Sequence, residues 1–174
     1  MQTFAEAVAA WHDFYLMVGT AAATLIGLLF VSLSLNAAEI TRGHNADLRA
    51  LAAHTFGNFI SVLMFAVVFL IPDQVPRGLG LPLLGIGAYG LYSTLQHLLE
   101  TRRTRSRIWR KGGVALRFAV PVLCFTALLI IAVWVLLGRT DVLYWLVSVM
   151  ILLLVTASLN AWDLLLGLRQ PRGP

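Results

Sequence analysis

Two histidines and one carboxylate are the side chains of this sequence that come closest to a site for chemistry. On neighbouring antiparallel helices, His54 and His97 would lie at similar depth, with Glu100 one turn beyond His97. Neutral imidazole is a common ligand of transition metals and of haem, so such a pair could hold either one. Alternatively, each histidine hydrogen-bonds a neighbouring helix or titrates as part of a gate. The usual further ligands and their spacing are absent, so we predict no metal and no cofactor.

Other catalytic patterns are missing from the sequence. No nucleophile, oxyanion-hole or phosphate-loop arrangement occurs, and we expect no enzymatic activity. The GxGxxG pattern at 85–90 lies inside an apolar segment, whereas the dinucleotide fingerprint works between a strand and a helix. We interpret it as a flexible or closely packed helix. Cys124 is the single cysteine, which excludes an internal disulfide and a cysteine-only metal site.

Further polar side chains recur near one end of each of several apolar segments. His54, Asn58 and Ser61 follow at i, i+4 and i+7, which is one face of a helix. Polar groups in a membrane are costly and usually face the bundle interior or a water-filled cavity. A second shared face comprises Ser93, Gln96, His97 and Glu100. We predict that a pathway or polar cluster is formed by Asn36, Glu39, His54, Asn58, His97, Glu100, Asn160 and Asp163.

The elements that must position these groups are membrane-spanning helices. The 174 residues are 59% hydrophobic and 12% charged, with a mean hydropathy of +0.83, against roughly 45–50% and 25% in soluble domains. A crossing helix needs about 20 apolar residues, and no polar block is long enough for a second core. We therefore predict an all-α integral membrane protein, a five-transmembrane-helix bundle forming one domain over 1–174. The predicted spans are 14–36, 51–71, 79–99, 116–138 and 142–167.

The distribution of basic residues predicts the orientation of this bundle. Loops on one side hold eleven Lys and Arg residues and those on the other side hold two. By the positive-inside rule the N-terminus is outside and the C-terminus is cytoplasmic. The basic residues that raise the pI to about 10.1 flank the membrane spans, so membrane topology accounts for them. We therefore predict no nucleic-acid partner. An aromatic belt at the outer interface is indicated by Trp11, Phe14, Tyr15, Tyr144 and Trp145.

A dense basic run follows the third span. Such a run can bind anionic lipid headgroups at about 1 kcal/mol per residue near the surface, or dock a cytoplasmic partner, and the lipid interpretation is favoured. Its residues are Arg102, Arg103, Arg105, Arg107, Arg110 and Lys111.

Small residues and an internal similarity bear on helix packing. Gly19, Ala23 and Gly27 form a small-xxx-small series, which fits a homo-oligomer interface and packing within one bundle equally well. The fourth span is otherwise apolar, so we expect it to be peripheral and to face lipid. At an offset of 124 residues, polar ridges of the first and fifth spans align, and two such ridges could line a path or hydrogen-bond to each other; the alternative is chance similarity, because transmembrane helices draw on few residue types. The aligned residues are Thr24, Leu28, Ser32, Asn36 and Glu39 with Ser148, Leu152, Thr156, Asn160 and Asp163.

The first span carries a family resemblance. The segments WHDFY at 11–15, VGTAAATLIGLLFV at 18–31 and SLN at 34–36 resemble the opening of a group of functionally uncharacterised small bacterial inner-membrane proteins. Some of these are loosely labelled modulators of a membrane protease. The resemblance covers about a fifth of the chain and implies a bacterial inner (cell) membrane location. It carries over no functional residues.

Three functions are compatible with these patterns. The first is a homo-oligomeric channel or transporter for an ion or small polar solute, motivated by the polar groups and the hydroxyl ridges. The second is a non-catalytic regulatory or assembly subunit that binds another membrane protein and uses the polar groups as interhelical contacts. The third, less favoured, is a haem or metal redox subunit.

Overall fold

The computed structural model describes residues 3–37, 46–103 and 114–169, and every element in these ranges is a helix. The five long helices match the five predicted segments to within about five residues at each end, so the helical prediction is confirmed. In chain order the helices are α1 (Phe4–Ala9), α2 (His12–Leu35), α3 (Ala46–Phe69), α4 (Pro76–Arg103), α5 (Val114–Leu136) and α6 (Leu143–Arg169).

Four segments of the described chain are long and apolar enough to cross a membrane. α4 is not among them, although its 28 residues are long enough, because glycines, tyrosines and polar side chains dilute its apolar content. The all-α membrane architecture is therefore supported without α4 being counted as a span. The four segments are His12–Leu35, Arg49–Phe69, Ala119–Leu136 and Leu143–Leu165.

The two ends of the bundle differ in chemistry. At one end, here called the aromatic end, α2 and α6 begin and α3 finishes. The ring centroids of Trp11 and Tyr144 are 4.9 Å apart there, and the ring of Tyr15 stacks on that of Phe69 at 3.8 Å. The opposite end, here called the basic end, is where α3 begins and α4 finishes at Arg103. Successive long helices therefore alternate in direction, as short connections require.

α3 is the central helix of the bundle. It packs against α2, α4 and α6, while α5 packs against α4 and α6. α2 is the least buried of the four apolar segments. Within the described ranges, α5 packs extensively only against α4 and α6 and exposes Leu123 and Ile130, which agrees with the expectation that the fourth span is peripheral. Its inner face nevertheless buries Phe125, Leu128 and Val135 between these two neighbours.

Close packing of α4 on α5 depends on glycines. A β-carbon at Gly80 would lie 2.6 Å from Leu136 Cγ, and one at Gly90 would overlap the ring of Phe125. Gly87 is similarly tight, with 3.0 Å to Leu129 Cδ2. The GxGxxG segment is thus part of a closely packed helix, as the sequence predicts, and its glycines allow the two backbones to approach.

Apolar side chains form two separate clusters along the bundle. The larger fills the aromatic half and draws on α1 through α6, including Val8, Tyr15, Phe65, Phe125 and Leu146. The smaller lies in the basic half and comprises Leu29, Ala52, Phe59, Ala157 and Leu164. The smaller apolar cluster leaves interior positions of the basic half to polar side chains.

The α5–α6 connection is a helix stop followed by an ion pair. Gly138 has φ +80°, and the amides of Gly138 and Arg139 donate to the carbonyls of Val135 and Trp134, a Schellman motif. Arg139 Nη2 lies 2.7 Å from Asp141 Oδ2. This hydrogen bond is the main reason that the pKa of Asp141 is lowered from its ordinary value.

Candidate functional site

One face of α3 carries buried polar side chains near the basic end. His54, Asn58 and Ser61 are 3%, 2% and 6% exposed. Their shared face is therefore turned into the bundle and away from lipid. His54 lies eight residues from the first residue of α3, Ala46, or about 12 Å at 1.5 Å per residue.

His54 meets His97 of α4. The ring centroids are 6.1 Å apart and the ring planes are nearly perpendicular, at 87°. The prediction that the two histidines lie at similar depth on adjacent antiparallel helices is therefore confirmed. His97 is half-buried, six residues before Arg103 at the end of α4, or about 9 Å from the helix end.

α6 contributes an asparagine at matching depth. Asn160 is 1% exposed and lies nine residues before Arg169, the last residue of α6, or about 13 Å along the axis. Because α6 packs against α3, Asn160 lies in the same layer of the bundle as the histidines. We call His54, Asn58, His97 and Asn160 the polar cluster.

Amides and hydroxyls in this layer differ in their hydrogen bonding. The hydroxyls of Thr55, Ser61 and Thr156 each donate to the carbonyl four residues earlier, at 2.7, 2.9 and 2.7 Å. By contrast, Nδ2 of Asn58 and both amide atoms of Asn160 are buried with no hydrogen-bond partner among the described residues. An unmade buried hydrogen bond costs about 1–3 kcal/mol. These amides are therefore the groups best suited to bind water or a polar ligand.

The hydroxyl and Asn ridges of α2 and α6 do not face each other. The two helices touch only slightly, and Thr24 is exposed with its hydroxyl bonded to the Thr20 carbonyl at 2.9 Å. Asn36 is half-buried and donates to the carbonyl of Ser32 in its own helix, at 2.9 Å. The expectation that these two ridges line a path together is therefore wrong, because α3 packs extensively against both α2 and α6.

The remaining residues of the predicted pathway whose side chains are described face the bundle interior only in part. Asp163 is half-buried in α6. On α4, Ser93 is half-buried, but Gln96 is exposed and hydrogen-bonds the Tyr92 hydroxyl at 2.5 Å, so the predicted polar face of α4 turns only partly inward. Glu39 lies outside the described residues, and Glu100 is described only as part of helix α4.

Sequence reasoning missed several buried polar residues. Thr55 and Thr94 are 0% and 1% exposed, and Thr94 precedes His97 by three residues, a spacing that could have signalled a shared face. Tyr15, interpreted as part of an interfacial belt, is instead fully buried. Its hydroxyl has no hydrogen-bond partner in the described part of the chain.

The small-residue series divides between two environments. A β-carbon at Gly19 would lie 2.8 Å from Cβ of Ala66, so Gly19 packs within the bundle against α3. Ala23 and Gly27 are exposed on α2, and a β-carbon at Gly27 would meet nothing within 4 Å. Of the two interpretations, packing within the bundle therefore holds for Gly19.

The basic run lies largely beyond the described residues. Arg105, Arg107, Arg110 and Lys111 fall in 104–113, and Arg102 and Arg103 form the last residues of α4. The described helices nevertheless present many apolar side chains on their surface, such as Leu35 and Leu137 at 81% and 73% exposure. An apolar surface of this kind is suited to lipid and costly in water.

These features define the class of the protein: an all-α membrane protein with a buried polar cluster at one end of its bundle. No protein-family model matches the chain, and no curated protein or solved structure is significantly similar to it. The polar cluster is therefore the main guide to its function.

Proposed function

We propose that this chain moves an ion or a small polar solute across the membrane, acting as a small homo-oligomeric channel or transporter. The observation that carries the proposal is the pair of buried amides, Asn58 and Asn160: Nδ2 of Asn58 and both amide atoms of Asn160 have no hydrogen-bond partner among the described residues. Polar groups are rare in membrane helices, and where they occur they often mark pathways for ions or solutes. The histidines beside them add further groups that can bind or relay a passing solute.

In this proposal α4 is the fifth span. Its 28 residues measure about 42 Å, which exceeds the hydrocarbon thickness of about 30 Å. It packs against α3 and α5, both of which contain segments apolar enough to cross, and this contact supports its lying in the membrane beside them. Glycines that serve close packing explain why its apolar content is low.

The same proposal places the N-terminus outside and the C-terminus in the cytoplasm of a bacterial cell, with the protein in the inner membrane. The charge asymmetry of the loops and the family resemblance support this arrangement. The basic end then faces the cytoplasm, where residues 102–111 contact anionic lipid headgroups.

Access to the polar cluster is from the basic end in this arrangement. The aromatic half is filled by the larger apolar cluster, with Phe65, Leu79, Leu83, Leu128 and Leu153 at 0–1% exposure. A continuous pore through the chain would have to cross this packed layer, so transport requires a conformational change or an interface between copies. Glu39, Glu100 and Asp163 would attract cations or protons to the cytoplasmic mouth.

The test is transport in liposomes that contain the purified protein. Light scattering would follow the entry of glycerol and urea, and fluorescent indicators would follow potassium ions and protons. We expect a protein-dependent flux that Asn160→Leu reduces at least tenfold, since the substitution keeps the branching of the side chain and replaces both polar amide atoms with methyl groups. The matched control is Ser158→Ala, because the Ser158 hydroxyl donates to a carbonyl of its own helix, that of Leu154, at 2.8 Å. Flux that survives Asn160→Leu, alone or combined with Asn36→Leu, would contradict the mechanism.

A second candidate function is a regulatory or assembly subunit that binds another membrane protein. The observation that favours it is the open face of α2, where Ala23 and Gly27 are exposed beside Leu28 and Val31. Exposed small residues let a helix of another chain approach closely. Gentle crosslinking in native membranes followed by mass spectrometry would identify a stoichiometric partner, and its absence would remove this candidate.

A further inference from the structure

We propose that the cargo is a first-row transition-metal ion, bound between His54 and His97. The inference deepens the proposed function by naming the class of solute, and its transport step rests on that function. The starting observation is the contact of two imidazole rings from different helices, one of them 3% exposed, inside a membrane bundle.

The separation of the rings fits a shared metal ion. An ion bound at about 2.0–2.1 Å to one nitrogen of each ring separates the ring centres by about 5 Å in tetrahedral geometry and about 6 Å in linear geometry. The observed separation is 6.1 Å, at the wide end of this range. A linear two-histidine site needs little movement of the helices, and a tetrahedral one needs the rings to approach by about 1 Å.

The surrounding donors select the class of metal. Imidazole nitrogen suits zinc, copper and nickel, whereas calcium and magnesium require several oxygen ligands, usually including carboxylates. Asn58 lies one turn from His54 on the same face of α3, so its amide oxygen, that of Asn160, or water completes the coordination. We therefore expect copper, nickel and zinc to bind in preference to calcium and magnesium.

The small number of strong ligands is consistent with cargo. The described part of the chain contains no group of three or more His, Cys, Asp or Glu residues that could hold a metal ion. Structural metal sites use such groups and hold their ions permanently. A transported ion must also leave its site, and two histidines with exchangeable water ligands allow that release.

Copper binding to the purified full-length protein tests the inference. The chain has four histidines, so the reference protein carries His12→Ala and His44→Ala, which leaves only His54 and His97. Titration with Cu²⁺ should give one bound ion per chain, and its electron paramagnetic resonance spectrum should show coupling to two imidazole nitrogens. His54→Asn and His97→Asn, made separately in this background, should each weaken binding by at least tenfold and remove one coupled nitrogen. Circular dichroism verifies that each variant keeps its helical content.

Two results would overturn the inference: no saturable Cu²⁺ binding in the reference protein, or binding of unchanged affinity after either substitution. Unchanged affinity would mean that the histidines only pack helices together.

A second measurement separates this inference from the proposed function. In one outcome, the flux of glycerol, urea, potassium ions or protons depends on Asn160, but copper binding does not depend on the histidines. This outcome would reject the metal site and support the proposed transport function. In the other outcome, copper binding depends on the histidines, but no flux of Cu²⁺, Zn²⁺ or Ni²⁺ is detected. This outcome would support the metal site and reject its role in transport.

Discussion

The packing of α4 on α5 can be tested by adding one methyl group. In Gly90→Ala the new β-carbon would lie 2.5 Å from two ring carbons of Phe125 and closer still to a third. Relaxed contacts between carbon atoms are about 3.5–4.0 Å, so the ring must move by 1 Å or more. Phe125 is 1% exposed, and such movement displaces its neighbours in the larger apolar cluster.

The expected magnitude follows from two opposing effects. Alanine favours a helix over glycine by about 1 kcal/mol, and an extra methylene in a packed core costs about 1–3 kcal/mol. Gly85 is the matched control, because a β-carbon there meets nothing within 4 Å. Gly85→Ala therefore reports the helix preference alone. Gly90→Ala should be less stable than Gly85→Ala by about 1–3 kcal/mol.

Reversible unfolding in mixed detergent micelles, followed by circular dichroism as the fraction of dodecyl sulfate rises, measures the free energy of unfolding. Two further variants, Phe125→Leu alone and Gly90→Ala with Phe125→Leu, complete a double-mutant cycle. The smaller leucine should relieve the overlap, so the penalty of Gly90→Ala should shrink by at least half in that background. Equal stabilities of the Gly85→Ala and Gly90→Ala proteins, or additive effects in the cycle, would refute the close approach of the two helices.

Further predictions concern α2 and the α5–α6 connection. Gly19→Val should lower the free energy of unfolding by about 1–3 kcal/mol, since its side chain meets Ala66, and an unchanged unfolding curve would contradict this contact. In the proposed homo-oligomer, Gly27→Val should leave the unfolding of the chain unchanged and shift the assembly toward monomer in light scattering, because Gly27 faces outward; an unaltered assembly would exclude this face as the interface. The lowered pKa of Asp141 comes mainly from the hydrogen bond with Arg139. This contact therefore stabilises the fold when the pH is above the ordinary pKa of a carboxyl group. Its contribution should disappear as the pH falls through the lowered pKa, so the difference in thermal midpoint between wild type and Asp141→Asn should vanish in acid.

Several features of the fold could be read from residue types alone. The five long helices follow from runs of apolar residues, since only an internally hydrogen-bonded helix satisfies its backbone in lipid without help from a neighbour. The meeting of His54 and His97 could also be predicted. Antiparallel neighbours joined by a short turn have a fixed register, so distances counted from the turn at Pro76 give the depth of each residue.

Lateral packing could not be predicted in the same way. α5 is apolar all round, and such a helix suits lipid or protein equally, so its burial on α4 and α6 depends on where the glycines of α4 lie. The ridges of α2 and α6 match in sequence, yet the two helices barely touch. Short-range hydrogen bonds to the helix's own carbonyls satisfy hydroxyls such as Thr24 and Thr156, and no neighbouring helix is needed.

The sequence by itself determined the helices, their lengths and the clustering of polar groups toward one end, because these depend on apolar runs and on counting residues along an axis. Only the tertiary structure decided which faces meet. It placed α3 at the centre, Gly19 inside and Gly27 outside, and Asn160 in the layer of the histidines. The physical reason is that packing between helices depends on the shapes of two surfaces at once, whereas composition and periodicity describe each helix alone.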